Sequence, residues 1–144
     1  MDAQDMGNAL ERILVTEDEL ARRMAELAAE IDADYQGKEI LLVGVLKGAV
    51  MVVADLSRHL HTPLSMDWMA VSSYGAGTKS TGVVRILKDL DADVTGRDVL
   101  IVEDIIDSGL TLSWLRENLL ARGAASVEIA TALRKPEALK VQVE

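Results

Sequence analysis

Val99-Leu-Ile-Val-Glu-Asp-Ile-Ile-Asp-Ser-Gly-Leu-Thr111 is the stretch on which the reading of this chain turns. Its first four residues, Val99 to Val102, are wholly apolar and mostly branched, the pattern of a strand buried on both faces. They run straight into Glu103 and Asp104, at what the pattern predicts to be the strand's end. Two adjacent carboxylates there are costly unless solvated, paired or bound to a ligand. Carboxylates accept hydrogen bonds and hydroxyls donate them, so the pair suits the vicinal hydroxyls of a ribose. Asp107-Ser-Gly-Leu-Thr111 then reads as a small-residue turn that opens a helix. Gly109 permits a backbone conformation that other side chains forbid. Successive N–H groups can converge on an anion there, helped by the helix N-terminus. The hydroxyls of Ser108 and Thr111 add two donors, which makes a phosphate cradle beside a ribose clamp. Taken singly, the acidic pair also fits a solvated loop, and Asp-Ser-Gly also fits a cap and turn. The joint run of thirteen residues is more specific than either half.

Outward from this run, apolar strands alternate with helical patterns. Thr16 and Glu19 have capping-box spacing, and Leu20, Met24, Leu27 and Ile31 follow at helical intervals. Glu39-Ile-Leu-Leu-Val-Gly-Val45 is a second doubly buried strand, with a helix expected over about Gly48 to Leu60. Strands are expected over Leu64–Ser73, Val83–Leu87 and Ser126–Leu133, and a helix over Leu110–Arg122 that ends at Gly123. Tyr74-Gly-Ala-Gly-Thr-Lys-Ser-Thr-Gly82 has no apolar anchor and reads as a mobile loop. The alternation predicts an α/β fold with right-handed crossovers and a mainly parallel, twisted sheet flanked by helices. In such sheets ligands bind beyond the carboxyl ends of strands, here after Val45, Ser73 and Val102.

Composition sets the outer bounds. The chain has 144 residues, 49% hydrophobic and 27% charged, as expected of one globular domain. It has no cysteine and two histidines, His59 and His61, which excludes a disulfide framework and disfavours a zinc centre. Fifteen basic against 24 acidic residues leave a net charge of −9, unsuited to non-specific binding of nucleic acid or an anionic membrane. A small anion remains a suitable ligand, because backbone donors and a divalent metal do not enter that count. No apolar run approaches the length of a membrane span and no signal-peptide pattern is present, so the expected location is the cytoplasm. Residues 1–12 read as a loose tail. His59 and His61 read as surface residues, Trp114 as core, and Met51, Met66 and Met69 as packing residues.

Glu103-Asp-Ile-Ile-Asp-Ser-Gly109 resembles the phosphoribosyl-pyrophosphate (PRPP) motif of the type I phosphoribosyltransferases, in the form carried by their 6-oxopurine, hypoxanthine–guanine branch. The resemblance runs from Ile13 to Glu144. It implies transfer of a phosphoribosyl group from PRPP to N9 of hypoxanthine or guanine, with Mg²⁺ chelating the substrate. It implies that Asp107 is the proton acceptor near N7 of the base. It implies that Asp107, Ser108, Gly109, Leu110 and Thr111 bind the 5′-phosphate, and that Glu103 and Asp104 hold the ribose hydroxyls and help place the metal, directly or through water. Leu46-Lys47-Gly48 corresponds to the pyrophosphate loop, whose first peptide bond is often cis. Ser73-Tyr74 opens the flexible loop that closes over the site, and Lys135 corresponds to the lysine that hydrogen-bonds the 6-oxo group. Family members are commonly homodimers or homotetramers.

The chain also departs from the pattern. Family members are expected to continue for about a further quarter of their length. That extension carries a stacking aromatic residue, a metal-approaching Asp and strands of the hood over the base. The sequence shown ends at Glu144 and holds no phenylalanine, so an incomplete hood is expected. A PRPP- or nucleotide-sensing regulator on the same fold is the alternative from another class, with Asp107 and Lys135 favouring the transferase. A dinucleotide-binding oxidoreductase ranks last, because no Gly-x-Gly-x-x-Gly follows the first buried strand.

Overall fold

The computed structural model describes residues 2–74 and 83–138. The expected 74–82 loop therefore lies outside the described residues, apart from Tyr74. Helix α1 (Glu17–Asp34) starts on the predicted box: Thr16 Oγ1 accepts from the Glu19 N–H at 3.2 Å, and Glu19 Oε2 accepts from the Thr16 N–H at 2.9 Å. Strand β1 (Ile40–Val45) and helix α2 (Ala49–His59) follow. Then come β2 (Leu64–Tyr74), β3 (Val83–Lys88), β4 (Asp98–Ile106), α3 (Leu110–Ala121) and β5 (Ser126–Arg134). Upstream of α1 the expected tail is exposed, with one 3₁₀ turn at Gly7–Ala9.

The five strands form one sheet in the order β3-β2-β1-β4-β5. β1 pairs in parallel with β2 and β4, and β4 with β5, whereas β3 returns antiparallel to β2. β1 and the Val99–Val102 stretch of β4 are apolar because both of their faces are covered. Ile40, Leu42, Leu100 and Val102 pack under α1 and α2, against Met24, Ala28, Ile31, Val53 and Leu56. Leu41, Val43, Val99 and Ile101 pack under α3, against Leu112, Leu115 and Leu119. Each fully buried Leu or Ile contributes roughly 1.5–3 kcal/mol by leaving water.

Three expectations are corrected. First, β4 does not stop at Val102. Its ladder with β5 continues through Glu103↔Thr131 to Ile106↔Arg134, so Glu103 and Asp104 lie within the strand. Pairing with a neighbour fixes a strand's length, and that neighbour lies 28 residues away. Second, only Met69 among the three methionines packs inside. Met51 is 70% exposed and Met66 44%, because no described element covers them. Third, Leu20 is exposed, so the buried face of α1 begins at Met24. The surface placement of the histidines holds, although His61 is engaged with Asp32. Trp114 packs against the α3-side core, as expected.

Candidate active site

The connection after β1 runs to α2 on one face, and that after β4 runs to α3 on the other. The carboxyl ends of β1 and β4 therefore diverge and leave a crevice, the topological switch point at which open α/β sheets bind ligands. Gly44 is level with Val102 in the ladder, so the residues after Val45 and those after Val102 share this crevice. Leu46, Lys47 and Gly48 form the first lip. The Leu46 N–H still bonds to the Met69 carbonyl at 2.8 Å, the Leu46–Lys47 peptide is cis, and Lys47 is exposed.

The second lip is the acidic pair. The Asp104 carboxylate lies so close over Gly48 that a Cβ there would run into it. Glycine at this position leaves room for that carboxylate, and it brings the Leu46–Gly48 loop against Asp104. Glu103 is half-buried. Burial pushes its carboxyl up to about 7. The Asp104 N–H, which donates to Glu103 Oε1 at 3.1 Å, opposes the rise, and the Asp104 carboxylate adds to it. Asp104 Oδ1 in turn accepts from the Ile105 N–H at 2.7 Å. The pair is thus poised to accept a cation or hydroxyl donors, because its own neighbourhood supplies little positive charge.

At the end of β4 the chain turns through Asp107, which is exposed, and Ser108 into Gly109, whose φ of 79° lies in the left-handed region. The first rung of α3 is the Ser113 N–H to the Gly109 carbonyl, so the amides ahead of it stand outside the helix ladder. The Leu110 N–H makes a long 3.4 Å contact to Ser108 Oγ. Leu110 and Thr111 open the helix itself, and the predicted turn is where the sequence placed it. Lys135 arrives from the neighbouring strand. Its N–H bonds to the Ile106 carbonyl at 2.9 Å, which sets its backbone beside the Ile106–Asp107 end of β4. Its side chain is exposed. Ser73 and Tyr74 are the last residues of β2, paired with Val84 and Val83. They stand well beyond Met69, the residue of β2 level with Val45.

The acidic pair is a partial donor set for Mg²⁺. Among the described residues no three His, Cys, Asp or Glu side chains cluster to enclose an ion. Two adjacent carboxylates offer hard oxygen ligands and leave most of a coordination shell open. That fits a magnesium ion that arrives with water and substrate oxygens. Sequence reasoning missed the reason for Gly48, since nothing in Leu46-Lys-Gly announces that a carboxylate 56 residues later will press on it.

A family model described as a phosphoribosyl transferase domain matches residues 13–144. The chain is 52% identical over 141 residues to a hypoxanthine-guanine phosphoribosyltransferase of Mycobacterium tuberculosis, covering 94% of this chain and 70% of that protein. It is 50% identical over 139 residues to the protein of the same name from Bacillus subtilis, covering 96% and 77%. A crystal structure of a hypoxanthine phosphoribosyltransferase from Staphylococcus aureus superposes with a TM-score of 0.93 at 44% identity, over 100% of this chain and 78% of that one. The relatives thus run longer by about the margin that the resemblance implied. On sequence and on fold alike, this chain belongs to the phosphoribosyltransferase family, within its hypoxanthine-guanine branch.

Proposed function

We propose that residues 1–144 form one phosphoribosyltransferase domain that moves the phosphoribosyl group of PRPP to N9 of hypoxanthine and/or guanine, giving IMP or GMP and pyrophosphate, as a step of purine salvage. The observation that carries this reading is the meeting of the Leu46–Gly48 loop with the Glu103–Thr111 run across one crevice, with Gly48 against Asp104. Glu103 and Asp104 accept hydrogen bonds from the two ribose hydroxyls and so fix the sugar. The turn from Asp107 to Thr111 receives the 5′-phosphate at the start of α3. The Leu46–Gly48 loop lies where pyrophosphate would leave, and Lys47 offers it a positive charge. The C1–O bond breaks with its electron pair going to pyrophosphate, and a new bond forms from N9 to C1. Asp107 accepts the proton that the purine sheds at N7. Lys135, beside Asp107, donates to the 6-oxo group. Ser73 and Tyr74 correspond, on the family resemblance, to the start of the loop that closes over the site in such enzymes.

Glu103 and Asp104 are the residues that would hold Mg²⁺, directly or through water. When bound, the ion neutralises charge on the pyrophosphate group. A cytoplasmic location goes with this reading, because so heavily phosphorylated a substrate does not cross a membrane unaided. No helix among the described residues is long and apolar enough to span one. A homodimer or homotetramer also goes with it, and exposed Val50 and Met51 on α2 are apolar surface of the kind that subunit contacts use. No observation favours the sensing alternative.

The test is a spectrophotometric assay with PRPP, Mg²⁺ and hypoxanthine, then guanine. Nucleotide formation is expected. Asp107→Asn should lower kcat by about 100- to 10,000-fold while the KM for PRPP moves by only a few fold. Equal losses in kcat and PRPP affinity would remove Asp107 from proton transfer.

A further inference from the structure

Gly44 and Gly48 stand at the two ends of one short stretch, and each lies beneath a side chain from another strand. Gly48 lies beneath Asp104 of β4, and Gly44 beneath Trp68 of β2. Gly44 and Trp68 are level in the β1–β2 ladder, so they face the same side of the sheet, the one covered by α1 and α2. With no side chain at 44, the indole lies across β1. A Cβ there would run into Cζ3 and Cε3 of the ring. Val53 Cγ2 of α2 lies 3.1 Å from the same point.

Trp68 thereby meets both flanks of the first lip of the crevice. Between Val45, the last residue of β1, and Ala49, the first of α2, run only Leu46, Lys47 and Gly48. The ring and Val53 converge over Gly44, which makes the indole a spacer between β1 and α2. The residue after it, Met69, holds the Leu46 N–H through its carbonyl at 2.8 Å. So short a connection has no slack. Close-packed interiors transmit strain, so a shift of β1 against α2 passes into the loop.

The spacer is itself fastened. The Trp68 N–H donates to Oδ1 of buried Asp67 at 2.8 Å, and its carbonyl accepts from Lys88 Nζ at 3.1 Å. An indole has two side-chain torsions and little freedom to yield. A larger residue at 44 with a smaller one at 68 would fill the same space, so burial alone does not call for this pair.

We infer that Trp68 is a positioning residue for the Leu46–Gly48 loop: its ring, seated on Gly44 where Val53 also closes in, sets the spacing of β1 and α2 and so holds the loop against Asp104. This rests on the reading of that loop as the pyrophosphate site. The effect falls on pyrophosphate and on PRPP, and not on the nucleotide product, which leaves the loop free.

The test is calorimetry on the full chain with two ligands in parallel, pyrophosphate with Mg²⁺ and IMP, well below the melting temperature of every variant. Trp68→Leu should weaken pyrophosphate about tenfold and IMP by less than about twofold. Trp68→Phe keeps a ring over Gly44 and should bring pyrophosphate back to within about threefold of the unaltered chain. Gly44→Ala pushes the ring away and should also weaken pyrophosphate about tenfold. Added to Trp68→Leu it should cost less than about twofold more, since the ring it collides with is gone. The KM for PRPP should follow pyrophosphate, and the KM for hypoxanthine should not. A residue that only packs the core would lower the melting temperature and leave the ratio of the two affinities unchanged. Three results would each overturn the inference: an unchanged pyrophosphate affinity in Trp68→Leu, equal losses for pyrophosphate and IMP, or additive effects of Gly44→Ala and Trp68→Leu. If Gly44→Ala does not fold, the two Trp68 substitutions decide alone. An unaltered chain that binds neither ligand and transfers nothing overturns the proposed function and this inference with it. Binding by the unaltered chain with an unresponsive Trp68→Leu overturns the inference alone.

Discussion

Asp67 on β2 and Glu103 on β4 are both carboxylates drawn into the sheet, and the protein treats them in opposite ways. Asp67 is the more deeply buried, at 6% exposure. Backbone donors surround it: the Trp68 N–H at 2.8 Å, the Asp91 N–H at 2.9 Å and the Ala92 N–H at 2.8 Å. It pins the connection between β3 and β4 to the sheet. Asp32 on α1 is held in the same manner by Thr62 and His61, and so ties α1 to the start of β2. Glu103 has one such donor, from Asp104, and that residue brings its own negative charge. A carboxylate whose hydrogen bonds are filled from within is part of the framework. One left short of donors at the end of a parallel sheet is placed to take a ligand.

The largest test of this contrast is Asp67→Ala, which strands three backbone N–H groups without adding a ligand site. It should cost about 4 kcal/mol in urea unfolding. A loss below about 1 kcal/mol would mean that Asp67 does not anchor the connection.

Gly48→Ala probes the other side. A Cβ there meets the Asp104 carboxylate, so that carboxylate must shift. A displacement of about 1 Å at a reacting centre costs about 100-fold in rate. kcat/KM for PRPP should fall by about that factor in a protein whose melting temperature is little changed. Unfolding instead would show that the contact supports the fold and not the site.

Asp32→Ala should cost about 1–2 kcal/mol. Burial opposes the charge on Asp32, but hydrogen bonds from Thr62 and His61 outweigh it and hold the carboxyl below its usual range. A lowered pKa in the folded state stabilises above the unfolded value, near pH 4, and the benefit fades as pH falls further. The gap between wild type and Asp32→Ala should therefore be full at pH 6 and narrow below about pH 4. A gap independent of pH would point to packing.

Glu103→Gln is the smallest effect and carries the opposite sign. A carboxyl raised to about 7 in the fold is penalised for ionising there. The penalty is absent below the unfolded value and complete above about pH 7. At pH 8 the amide should stabilise the unliganded protein by roughly 1 kcal/mol, discounted for the solvent that reaches this half-exposed group. At pH 4.5 the two proteins should melt together. Destabilisation at pH 8 would place Glu103 in the framework beside Asp67.

What could be read in advance follows the reach of the interactions involved. The capping box at Thr16, the glycine turn at Gly109 that opens α3 and the glycine stop at Gly123 were legible because each is settled within a few residues. β1 and the Val99–Val102 stretch of β4 were legible because burial on both faces leaves no polar alternation. The anchoring role of Asp67 left no trace, since its donors at Asp91 and Ala92 come from a connection 24 and 25 residues on. The exposure of Met51 and Met66 was equally hidden, because a methionine pattern does not say whether anything covers it.

The sequence by itself determined the local chemistry: which segments extend, where α3 begins, and that a carboxylate pair is followed by a small-residue turn. Only the tertiary structure decided that β1 and β4 lie side by side, which sets Gly48 under Asp104 and the backbone of Lys135 beside Asp107. It also decided which carboxylates find donors and which are left wanting. The reason is physical. A turn or a cap is stabilised by hydrogen bonds between near neighbours along the chain. Strand order and the solvation of a buried charge depend on groups that folding alone brings together.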